Sequence, residues 1–140
     1  MSLRGRRERS YALRVSEQEP PPGSRAALAR AGENAAAAWV ERAGLRIVER
    51  NYRCRSGELD IVAADGETVV FVEVKLRHAP FDPLEAVDER KQRRVSRAAF
   101  DFLMRRGMLD RPARFDVVAV EARTLACTHV IDAFDSDVEY

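Results

Sequence analysis

The sequence predicts one α/β domain, and three observations carry the prediction. Stretches with helical and strand character follow one another in the order helix, three strands, helix, two strands. An Asp65-Gly66 pair between two of the strand-like runs marks a tight hairpin, which makes the second and third strands antiparallel neighbours. At 140 residues the chain is one domain's worth, and a domain of that size buries roughly two thirds of its unfolded surface without disulfide staples.

Taken in order, residues 1–24 mix Arg, Ser and Glu with Pro20, Pro21 and Pro22 and carry neither periodicity, so a mobile tail is expected there. The folded domain is expected over 25–135, with a second short tail over 136–140. From Arg25 to Ala43 an alanine-rich run fits a helix closed by Gly44 just past its end. Glu33, Ala36, Ala37 and Val40 share one strip of it, a carboxylate beside small residues that let a helix approach a sheet closely. Trp39 reads as core, its indole N–H near the surface.

Leu45 to Tyr52 reads as the first strand, Glu58 to Ala64 as the second and Thr68 to Lys75 as the third, with a type I′ turn at Asp65-Gly66. The second helix starts either at Asp82, with Pro83 in the first turn and Glu85 completing a capping box, or at Asp88. It runs to about Arg106. Its apolar strip is Val95, Ala98, Ala99, Phe102 and Leu103, which Lys91 extends one turn toward the amino end. Phe115 to Glu121 and Leu125 to Phe134 complete the set, joined by a turn near Ala122 and Arg123.

Composition removes several function classes. The longest apolar run, near Thr68 to Val74, is far shorter than the ~20 residues a membrane helix needs, and no export leader opens the chain. No membrane association and a cytoplasmic location are therefore expected. Cys54 and Cys127 lack zinc spacing and read as small buried hydrophobes. His78 and His129 are isolated, which argues against a histidine metal site and against a Ser-His-Asp arrangement. Any catalysis falls to carboxylates and bases. A net charge of +1 selects no partner, but basic clusters at Arg50, Arg53 and Arg55, and at Arg90, Lys91, Arg93, Arg94 and Arg97, suit phosphate backbones. Their alternative is a set of solvated faces balanced by nearby acids.

The segment Val72-Glu73-Val74-Lys75 interrupts an apolar strand with two opposite charges on one face. Burying them is costly unless they are paired or metal-bound. Glu58 and Asp60 share a face of the strand predicted to pair with it; if the register keeps those faces matched, the four polar groups converge. Mg²⁺, or Mn²⁺ in its place, prefers oxygen ligands and is commonly held by one or two carboxylates; Asp60 and Glu73 match that demand. Lys75 stands where it would orient an attacking water, and it is one of only two lysines in a chain rich in arginine. The competing reading of the pair is a Glu-Lys bridge at an exposed edge.

Gly32-Glu33, Arg50-Asn51-Tyr52-Arg53, Gly57-Glu58-Leu59-Asp60-Ile61-Val62-Ala63, Phe71-Val72-Glu73-Val74-Lys75, Lys91-Gln92-Arg93-Arg94 and Phe115-Asp116-Val117-Val118-Ala119-Val120 occur in an order that resembles the YraN-like family of small, endonuclease-like bacterial proteins. The resemblance covers about Arg25 to Phe134. It implies a restriction-endonuclease-like fold of the PD-(D/E)XK nuclease superfamily, similar to archaeal Holliday junction resolvases, with a central mixed sheet flanked by helices. By position it implies Asp60 and Glu73 as metal ligands, Lys75 as the catalytic lysine and Glu33 as an additional acid. The chain departs from the family pattern at Leu76, where a small polar residue is frequent.

The expected function is a metal-dependent nuclease acting on DNA, with Arg53, Arg55, Lys91, Gln92, Arg93 and Arg94 at the nucleic acid. Nothing in the sequence reads bases, so a branched or otherwise structure-defined substrate fits better than a specific sequence, and a resolvase-like role favours a homodimer. Glu58 is a candidate to support Asp60, against a salt bridge to Arg53 or Arg55. Glu33 has an ion pair with Arg30 as its alternative, and Lys91 has a snorkelling position on the helix flank. The alternative for the whole chain is a nucleic-acid-binding or adaptor protein that keeps the fold without turnover.

Overall fold

A computed structural model describes residues 21–83 and 87–136. The tail expected at the amino end lies outside these residues up to residue 20, as do Glu85 of the first capping alternative and residues 137–140. Two helices and five strands follow one another in the expected order. Helix α1, Arg25–Arg42, opens where the Ser24 hydroxyl accepts the Ala27 N–H at 3.1 Å, and it ends before Gly44, whose φ of 98° only glycine adopts freely. Strands β1 (Arg46–Cys54), β2 (Gly57–Asp65) and β3 (Thr68–Arg77) follow. Helix α2, Glu89–Arg105, starts at the second of the two expected positions, with the Asp88 carboxylate accepting the Lys91 N–H at 2.9 Å. Strands β4 (Ala113–Glu121) and β5 (Cys127–Phe134) complete the chain.

The strands form a single sheet in the order β1-β2-β3-β4-β5. All neighbours are antiparallel except β3 and β4, which run parallel because α2 carries the chain back across the sheet between them. A mixed sheet with a helix on each face is the α/β, restriction-endonuclease-like arrangement that the family resemblance implies. Alternation along β3 assigns the faces. Val70 and Val72 pack with Ala36, Ala37 and Val40 of α1, whereas Val69 and Phe71 pack with Val95, Ala98, Ala99, Phe102 and Leu103 of α2. Glycine makes the α1 contact close: a Cβ on Gly32 would stand 3.0 Å from Leu76 Cδ1, so the unusual Leu76 is seated under the helix.

Two local expectations change. Asp65 pairs with Thr68, so the hairpin loop is Gly66-Glu67, and of these only Gly66 takes positive φ, at 60°. That is the type II′ pattern, with glycine leading the turn, in place of type I′. Cys54 and Cys127 are free and half-buried at the margins of the two cores, because each lies on an outermost strand. Among the described residues no helix is long and apolar enough to cross a membrane.

Candidate functional site

The site forms where β2 and β3 part. Their ladder runs from Asp65–Thr68 to Ile61–Val72 and pairs no further. One step beyond, the Asp60 carboxylate replaces a strand carbonyl, its Oδ2 accepting the Val74 N–H at 2.8 Å. Side-chain alternation breaks at the same point: Leu59 packs on the α2 side and Ile61 on the α1 side, which turns Asp60 into the gap between the strands. On the neighbouring β1, Asn51 lies between the partners of Ile61 and Leu59 and takes a φ of 56°, a left-handed conformation that asparagine tolerates better than most residues. The irregularity of two adjoining strands opens the sheet beside Asp60.

Glu73 follows Phe71 on the α2 face of β3 and is 2 % exposed. Its Oε2 is fully buried and receives no hydrogen bond. Lys91 Nζ, reaching down from the first turns of α2, stands 3.4 Å from that oxygen, close enough for an ion pair but without hydrogen-bond geometry. Burial, then the negative charge of Asp60 and a shared proton with it, push the Glu73 carboxyl up to about 8, against the pull of Lys91 and Lys75. Lys75 is half-buried, and desolvation holds its ammonium below the usual lysine range, with Lys91 and Arg77 adding to the effect and Glu73 opposing it. Both lysines of the chain therefore sit at this one site.

Glu33 faces the same region from α1. Burial and then the Asp60 charge raise its carboxyl above the ordinary range, while Arg50 and Arg30 lower it. Even so, no three His, Cys, Asp or Glu side chains converge in metal-holding geometry among the described residues. Glu58 pairs with Arg53 across the β1–β2 ladder at 3.5 Å, the salt-bridge alternative weighed above. The Gln92 amide donates to the Val87 carbonyl at 3.1 Å and so secures the loop entering α2. Arg55 and Arg93 are exposed. Arg53, Cys54, Gly57, Glu58, Lys91, Arg94 and Val95 line an open pocket of about 400 Å³ beside the carboxylates.

The residues present fit a hard divalent cation. They offer carboxyl oxygens from two strands, one of them buried and without a hydrogen-bond donor, and Mg²⁺ commonly completes its shell with water. Lys91 is the site member that the sequence placed only loosely. The signal for it was the scarcity of lysine itself.

A second buried acid escaped the sequence reading. Asp116 on β4 is fully buried and accepts four hydrogen bonds: from Arg114 Nε at 3.0 Å and Nη2 at 3.3 Å, from His129 Nε2 at 2.8 Å and from the Asp132 N–H at 2.9 Å. Trp39 Nε1 donates to His129 Nδ1 at 3.2 Å. Because an indole N–H can only donate, Nδ1 is the acceptor and the His129 proton lies on Nε2, directed at Asp116. His129 is thus not isolated, and the Trp39 N–H is used inside the fold. The legible signal was a single acid in an apolar run, Phe115 to Val120, the same pattern that marked Glu73.

A model of the uncharacterised protein family UPF0102 matches residues 32–120, a span that includes Glu33, Asp60, Glu73, Lys75, Lys91 and Asp116. A UPF0102 protein of Geobacter sulfurreducens is 57 % identical over 91 residues, covering 64 % of this chain and 71 % of the relative. One from Desulforapulum autotrophicum is 48 % identical over 114 residues, covering 79 % of this chain and 94 % of the relative. One from Anaeromyxobacter dehalogenans is 48 % identical over 120 residues, covering 81 % and 87 %.

Proposed function

The chain belongs to the uncharacterised protein family UPF0102, the YraN-like family its motifs resemble, and on that premise we propose that it is a metal-dependent nuclease hydrolysing phosphodiester bonds of DNA. The observation that carries the reading is the buried Glu73, whose Oε2 has no donor, held near Asp60 at the point where two strands separate. A fold that needed Glu73 only for stability would give that oxygen a hydrogen bond beside the Lys91 ammonium at 3.4 Å, because a buried polar atom without one costs about 1–3 kcal/mol.

In this reading Asp60 and Glu73 hold Mg²⁺ or Mn²⁺. When bound, the ion supplies Lewis acidity to a phosphoryl oxygen and acidity to a water ligand. The chain does the positioning. The Val74 N–H fixes one oxygen of Asp60, and the packed β3 strand fixes Glu73. Lys75 lies two residues on, on the same face. With its proton affinity reduced by burial, it orients the attacking water and offsets charge on the scissile phosphate. Arg53, Arg55, Arg93 and Arg94 contact backbone, which favours substrates defined by shape over those defined by base sequence. Symmetric cutting of a branched substrate would require a two-fold dimer.

One observation favours a different reading, a nucleic-acid-binding protein without turnover: no third ligating side chain joins Asp60 and Glu73 among the described residues. A single experiment separates the two. Labelled duplex, single-stranded, flap and four-way-junction DNA are incubated with the protein in Mg²⁺, Mn²⁺ or EDTA, beside Glu73→Ala. The nuclease reading expects cutting that disappears in EDTA and in the variant. Binding without cutting under every condition would replace it with the binding-protein reading.

A further inference from the structure

Lys91 occupies two environments at once. Its ammonium is the nearest cation to the orphaned Glu73 oxygen, at 3.4 Å, and its side chain also lines the open pocket shared with Arg53 and Arg94. The Glu73 side chain is 3 % exposed and that of Lys91 is 35 % exposed, so one end of the pair is locked in the core while the other has room to move. Lysine suits such a position better than arginine: its long, flexible stem carries a point charge that needs no fixed planar partner. The chain uses lysine at only two positions, and both are here.

We infer that Lys91 is a resident counter-cation of Glu73 which a divalent ion displaces, and that the freed ammonium swings into the Arg53–Arg94 pocket to take a backbone phosphate of the substrate. The inference rests on the nuclease reading and adds to it a coupling between metal and nucleic acid. A buried carboxylate needs a positive partner, and a divalent ion at Glu73 makes Lys91 redundant and repels it. The pocket is the adjoining space, already basic through Arg53 and Arg94; its one acid, Glu58, is held by Arg53 at 3.5 Å. Metal loading thus adds one phosphate contact, and linkage requires that nucleic acid strengthen metal binding by the same factor.

Two measurements test this. Wild-type protein labelled with ¹³C at the lysine ε-carbons gives two lysine signals, and Lys91→Met identifies one of them. On titration with Mg²⁺ the Lys91 signal should move along the same saturation curve that calorimetry gives for the ion. A Lys91 signal that stays still while Mg²⁺ saturates the protein would overturn the inference, as would an absence of Mg²⁺ binding. The second measurement uses no metal: junction DNA affinity is measured in EDTA at pH 9, where the Glu73 carboxyl is ionised, across a range of salt for wild type, Glu73→Gln, Lys91→Met and the double variant. Releasing Lys91 by Glu73→Gln should raise affinity about tenfold and steepen the slope of log K against log salt by about 0.9, one phosphate contact. In the Lys91→Met background the same substitution should change the slope by nearly nothing. Equal gains in both backgrounds would overturn the exchange even if the wild-type protein cuts DNA in Mg²⁺. No DNA binding by any of the four would overturn it together with the nucleic-acid reading.

Discussion

Glu73 and Asp116 stand on adjacent parallel strands, one register step apart, and each is an acid buried in an apolar run. Their surroundings differ in kind. Asp116 accepts four hydrogen bonds and is locked to Arg114, His129 and, through His129, Trp39. Glu73 has one buried oxygen with no donor and a lysine at ion-pair distance. Burial alone therefore does not mark a functional acid. The satisfied acid ties β4, β5 and α1 together, and the unsatisfied one keeps coordination capacity for something the fold does not supply.

The sharpest break between them is kinetic. Glu73→Gln should lower the Mg²⁺-dependent cleavage rate by on the order of 10³-fold, since metal assistance is worth several kcal/mol in the transition state, while the melting curve stays cooperative. Initial rates within tenfold of wild type would remove Glu73 from the site. For Asp116→Ala the loss should be in stability instead, about 3–5 kcal/mol by urea denaturation, because Arg114 and His129 are left without their buried partner. A cost below about 1 kcal/mol would dissolve the contrast.

The third test uses pH. The folded protein holds a proton on Glu73 up to about 8, whereas the unfolded chain releases it at the ordinary glutamate value. Between those two values the native state binds the extra proton, so stability should fall as pH rises from about 5 to 9. In EDTA a decline in melting temperature on the order of 5 °C is expected for wild type and a flatter profile for Glu73→Gln. Equal slopes would show that Glu73 ionises in the fold as it does in water. The smallest effect concerns the end of the satisfied network. Trp39→Phe keeps an aromatic ring but deletes the donor to His129 Nδ1, and urea melts should register about 1 kcal/mol.

Much of the molecule was legible in one dimension because the signals are local. The strip Val95, Ala98, Ala99, Phe102 and Leu103 has helical period, and all five residues are buried on the α2 side of the sheet. Gly66 forced a tight turn and Gly44 closed a helix, each through a φ that other residues resist. That Asp60 comes near Glu73 also followed from the hairpin, since period two and a two-residue loop together set the register, although the ladder itself stops at Ile61–Val72 and the alternation breaks at Asp60. The turn type was misassigned because Asp65-Gly66 is compatible with two loop positions, and only the strand pairing selects Gly66-Glu67.

By itself, then, the sequence determined the element order, the two core faces and the acids and lysine that meet on β2 and β3, all of them consequences of spacing along the backbone. Only the tertiary structure decided which buried acid is satisfied. The donors to Asp116 come from β4 and β5, those on β5 thirteen and sixteen residues along the chain; His129 is held in turn by Trp39 of α1, ninety residues from it, and the lysine that stands over Glu73 comes from α2. Whether a polar atom finds a partner depends on packing between elements, and no local periodicity encodes that.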